Sequence, residues 1–104
     1  MTRGAPPAPI RFEIRCTNME VSMSLEDHVE HALVRALGRH RRRVHSMLVR
    51  FGVAATGTHC HVTARLLEGA LEARGVATGG EGAVSRAAEE LRRIMAEHAR
   101  AQAT

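Results

Sequence analysis

The chain has 104 residues, enough for one domain with a modest core and too few for two independent ones. Its 15 basic residues against 11 acidic ones give a formal charge of +4, so the expected large partners are polyanions, nucleic acid before an anionic membrane. No signal-like segment opens the sequence, and no apolar run approaches the roughly 20 residues a membrane span requires, which excludes a spanning helix and points to the cytoplasm.

Residues 1–9 hold three prolines among small residues and read as a disordered leader to a single domain at 10–101. From Ile10 the pattern changes: Ile10, Phe12, Ile14 and Cys16 alternate with Arg11, Glu13 and Arg15, the period of two of a strand with one buried and one wet face. A helix is predicted over 24–38, with Ser24 as N-cap, Asp27 completing a capping box, and Leu25, Val29, Ala32, Leu33, Ala36 and Leu37 as its apolar stripe. Gly38 is placed to end it, with a frayed turn running into the basic stretch "LGRHRRRVH".

Three further runs alternate in the same way. Met47, Val49, Phe51 and Val53 form one apolar side, Cys60, Val62, Ala64 and Leu66 the next, and Leu71, Ala73 and Ala77 the third, with glycine-containing turns between them. A second helix follows "GGEG", its stripe made of Val84, Ala87, Ala88, Leu91, Ile94 and Met95, with His98 at its far end. Glutamates early and arginines late in this segment agree with the helix dipole.

The order strand, helix, three strands, helix predicts an α+β fold of β-α-β-β-β-α type. A helical crossover makes the first two strands parallel, the meander extends a four-stranded sheet, and both helices bury their stripes on one face of it. Cys16 and Cys60 are expected as free, half-buried core thiols, although two cysteines could in principle pair.

The segments "IRFEIRCTNMEVSMSLEDHVEHAL" and "RRRVHSMLVRF" resemble the ribosome hibernation promoting factors, also called ribosome-associated translation inhibitors. The resemblance rests on the turn Asn18, Met19, Glu20, Val21, on the helix spacing Leu25, Val29, Leu33, and on a last helix in which Ala83, Val84, Ser85, Ala87, Glu89, Leu91 and Arg93 follow the family's order. It covers about 10–100 and lapses at "GGEG", where the family carries an Asp-Leu/Met-Tyr segment, and at Ser85, where aspartate is common. What it implies is a fold similar to a double-stranded RNA-binding domain and a stress-response, non-enzymatic factor, monomeric off the ribosome. Such a factor would bind ribosomal RNA of the small ribosomal subunit and block the tRNA and mRNA channel, with no cofactor and no small-molecule substrate. The alternative is a protein-interaction module that keeps the fold and has lost ribosome docking.

Arg39, Arg41, Arg42 and Arg43 lie just past a helix C-terminus. The dipole there favours a cation by up to about 1 kcal/mol, which accounts for one or two of them and not for four. Adjacent guanidinium forks at the end of a rigid element suit successive phosphates, so these four are the first RNA-binding candidates. Arg92, Arg93 and Arg100 form a second set, although Glu89, Glu90 and Glu97 stand at pairing distance along the same helix. Arg11, Arg15, Arg50, Arg65 and Arg74 alternate along the strands as on any half-exposed sheet and are read as solvated. "HCH" at 59–61 offers no metal site, because His59 and His61 share a strand face while Cys60 points the other way, and no nucleophile–base arrangement suggests a catalytic centre.

Overall fold

The computed structural model describes residues 10–103, so the proline-rich leader expected at 1–9 lies outside the described residues. The elements are β1 (Arg11–Thr17), α1 (Met23–Leu37), a 3-10 helix (Gly38–Arg43), β2 (Val44–Ala54), β3 (Gly57–Leu66), β4 (Gly69–Ala77) and α2 (Gly80–Ala103). The four strands form one sheet in the order β1-β2-β3-β4, with β1 parallel to β2 and the rest antiparallel, as the crossover argument predicts.

Alternation decides which face is covered. Met47, Val49 and Phe51 of β2, Cys60, Val62 and Ala64 of β3, and Ala73 of β4 are buried against the helices. From the helices come Leu25, Val29, Leu33 and Leu37 of α1 and Val84, Ala87, Leu91 and Met95 of α2. Leu33 and Leu91 are fully enclosed, and burying each contributes about 1.5–3 kcal/mol. Phe12 and Ile14, on the edge strand, are only half-buried.

Several expectations shift. The N-cap is Ser22 rather than Ser24: its Oγ accepts from the Leu25 amide at 3.1 Å, and the helix begins one residue earlier than predicted. Cys16 is exposed, because β1 is an edge strand, while Cys60 on the inner strand β3 is buried; both are free. Val53 is 45% exposed despite sharing the parity of Phe51, since β2 continues beyond its pairing with β1, which ends at Thr17 opposite Gly52. A bulge between Val44 and Ser46 lets both Val44 and Met47 turn inward and leaves His45 exposed as the extra residue.

The two helices run in the same direction. Gly80 packs on Leu25, where a Cβ would come within 2.9 Å of the leucine Cδ2, and further along His28 Nε2 lies 3.2 Å from Ser85 Oγ. α2 runs antiparallel to β4: Gly75 sits beneath Ala83 and Ala87, and His98 Nε2 reaches Glu68, in the β3–β4 turn, at 3.3 Å. The C-terminal ends of both helices, and with them their negative dipole ends, therefore lie on the same side of the molecule as the start of β2 and the β3–β4 turn.

Candidate nucleic-acid interface

The basic stretch forms a 3-10 helix rather than a frayed turn. Leu37 before it and Val44 after it are 1% and 4% exposed, so the segment is pinned at both ends while none of its own residues is buried. Side chains three apart eclipse one another in this helix type, which sets Arg39 over Arg42 and His40 beside Arg43. Arg39, Arg41, Arg42 and Arg43 are all exposed, and among the described residues no carboxylate pairs with them. His40 has its pKa lowered, first by desolvation and then by the charges of Arg39 and Arg43, so it stays neutral in this cluster at pH 7.

The structure divides the second set of candidates. Arg92 lines a groove between the helices together with Arg35, His28 and His31. Arg93 is occupied: it donates to Glu90 at 2.7 Å and to Glu97 at 2.9 Å, which holds the Glu90 carboxyl below its ordinary range and raises the arginine. Arg100 is exposed in the last turns of α2, beyond the Glu68 contact of His98. Arg100 thus lies on the side where both helices end, Arg92 sits midway along α2 beside Arg35, and Arg93 is tied to its own helix. Arg35, which sequence reasoning passed over, joins Arg92; its spacing of four from Arg39 was the available signal.

Sheet register brings together what strand-by-strand reading kept apart. Arg15 is opposite Arg50, Arg50 opposite His61, and His61 opposite Arg74, a basic row that crosses all four strands on the open face. Arg11 and Arg65 flank Ser46 in a second row. The face's carboxylates are Glu13, which pairs with Arg15, and Glu72, 2.9 Å from His61. His59 is held by Thr56 Oγ1 at 2.7 Å, while Cys60 points into the core, where burial pushes its thiol up to about 12.

No protein-family model matches the sequence, and no curated protein matches it either. Solved structures do match. A ribosomal subunit interface protein from Coxiella burnetii superposes with a TM-score of 0.74 at 12% identity, over 91% of this chain and 100% of that one. The N-terminal domain of Protein Y from Thermus thermophilus gives 0.72 at 18% identity, over 86% and 97% of the two chains. This chain has their fold. The β-α-β-β-β-α order and the parallel first strand pair that the sequence resemblance implied are those observed. At these identities the likeness extends to architecture, and the arginine surface has to be judged on its own geometry.

Proposed function

We propose that the protein is a non-enzymatic, cytoplasmic, ribosome-associated translation inhibitor. It would bind ribosomal RNA of the small subunit through the arginines of the 3-10 helix and block the tRNA and mRNA channel as a hibernation factor. One observation carries this reading: four exposed guanidinium groups without a carboxylate partner among the described residues stand on a segment pinned by Leu37 and Val44, where both helices end. Fixed forks of this kind suit phosphates on a rigid RNA surface, and an inhibitor that recognises shape needs little base reading. The fold shared with a ribosomal subunit interface protein and with Protein Y supports the choice of ribosomal RNA among polyanions. Arg92 and Arg100 extend the contact along α2, with Arg93 taking part once released from Glu90 and Glu97.

Sedimentation through sucrose gradients with purified small and large subunits tests the proposal. The chain is expected to travel with the small subunit, and R41Q/R42Q/R43Q to stay near the top while melting as the parent does. A parent chain that remains at the top would mark a protein-interaction module instead. Undiminished sedimentation of the triple variant would remove the 3-10 helix from the interface.

A further inference from the structure

We propose that the open face of the sheet is a second polyanion site, which seats the sugar–phosphate backbone of a single RNA strand lying across β1 to β4. The row Arg15, Arg50, His61, Arg74 is fixed by backbone register, so its members stand about 4.8 Å apart from strand to strand. Like charges set directly opposite each other destabilise a sheet, and an ordinary solvated face avoids them by pairing opposite charges across strands. Here Arg15 faces Arg50; Glu13 pairs with Arg15 and Glu72 lies 2.9 Å from His61, which leaves Arg11, Arg50, Arg65 and Arg74 without a carboxylate partner among the described residues. Such an arrangement is stabilised when a polyanion covers it.

Beside the row lies a shallow basin of about 600 Å³, rimmed by Arg11, Arg15, Arg50 and Arg65, with Glu13 on the same rim paired to Arg15, and floored in part by the half-buried Leu48. Guanidinium forks around an apolar floor fit a phosphodiester with its sugar. The chain's two phenylalanines both belong to the covered side of the sheet, so no aromatic platform stacks bases and recognition is of the backbone. A flexible strand can follow the sheet's twist along the row, whereas a rigid duplex would meet only part of it. The choice of RNA over another polyanion rests on the function proposed above; the site itself does not involve the 3-10 helix.

The test is fluorescence anisotropy of a labelled oligouridylate against the full chain over a potassium chloride series, with R50Q/R65Q/R74Q, three arginines of the open face without a carboxylate partner among the described residues, as the variant. Three lost phosphate contacts should flatten the log–log salt slope by about 2, at roughly 0.7 per contact on a single strand. The triple variant is expected to melt no earlier than the parent, because like-charge repulsion is removed; if it does melt earlier, R50Q alone carries the test, with a flattening of about 0.7. An unchanged slope in a folded variant overturns the site. An equal loss of affinity for duplex RNA overturns the single strand as occupant, and displacement of the oligomer by polyglutamate at equal charge concentration overturns RNA. Failure of the chain to sediment with ribosomal subunits would refute the proposed function and leave the slope difference standing.

Discussion

Gly75 shows how one residue positions a whole helix. A Cβ at this point of β4 would lie 2.2 Å from the Ala83 carbonyl oxygen and 2.5 Å from the Ala87 nitrogen, both backbone atoms that cannot swing aside. Gly75→Ala must therefore push α2 off the sheet, and overpacking of this kind costs about 1–3 kcal/mol. At about 4–8 °C per kcal/mol for a small domain, thermal melts followed by circular dichroism should show a fall of at least several degrees. An unchanged melt would mean that α2 is not seated as described. The two phenylalanines separate in the same way: Phe51, 2% exposed, should cost about 3–5 kcal/mol on truncation to alanine, and the half-buried Phe12 clearly less. Alternation alone made them equivalent, since it reports which face a residue takes and not whether its strand lies at an edge. His40 supplies a pH signature. Its pKa in the free protein lies below the ordinary 6.5, held down by desolvation and by Arg39 and Arg43. A phosphate bound at those arginines offsets their charge and favours the protonated ring, so binding takes up a proton and tightens as pH falls through the range in which the ring titrates. His40→Asn should lose that pH dependence in anisotropy titrations while keeping most of the affinity at pH 7.5.

At the level of elements, the sequence carried the fold because each segment's period, cap and turn pointed the same way. What it could not decide was which of two nearby serines caps α1. Ser22 and Ser24 both precede the apolar stripe, and the choice depends on how the chain leaves β1 through Asn18, whose φ of 61° turns it sharply. Ser22→Ala is expected to cost about 1 kcal/mol and Ser24→Ala to stay within about 0.5 kcal/mol, a contrast that denaturant melts resolve. The charge pattern of α2 was likewise visible as composition, but only rotamers show that the glutamates at 90 and 97 both close on Arg93, while Arg92 turns into the groove that it shares with Arg35 and Glu89. Glu90→Gln with Glu97→Gln frees that guanidinium. If α2 lies along RNA, the salt slope of binding should steepen by up to about 1, as one more phosphate contact becomes available. A slope that does not change would place Arg93 away from the nucleic acid.

Across the whole molecule, topology gathers the unpaired arginines of the basic stretch at one end. Because α1 and α2 run in the same direction, their acidic first turns, with Glu26 and Glu81, share one side, and their C-terminal ends share the other with the 3-10 helix, His45 and Arg100, where Glu97 and Glu68 are taken up by Arg93 and His98. The 3-10 cluster was legible as a dense local run. The basic row on the sheet was not, because Arg15, Arg50, His61 and Arg74 are far apart in sequence and become neighbours only through strand order and register, which periodicity does not fix. Binding by such a surface should be dominated by released counterions rather than by apolar contact. If about five phosphates of largely duplex ribosomal RNA are neutralised, the association constant with small subunits should fall with a log–log salt slope on the order of −4 to −5, extrapolating the duplex rule. Raising salt fourfold would then weaken the complex by roughly two to three orders of magnitude, and most of the loss should disappear in R41Q/R42Q/R43Q, whose slope is expected to flatten by nearly 3. A complex that sediments equally well across that range would have to be held by apolar or neutral contacts. The exposed large hydrophobic residues, Met23, Val53, Leu67 and Val76, lie on separate elements or turns and offer no continuous surface for them.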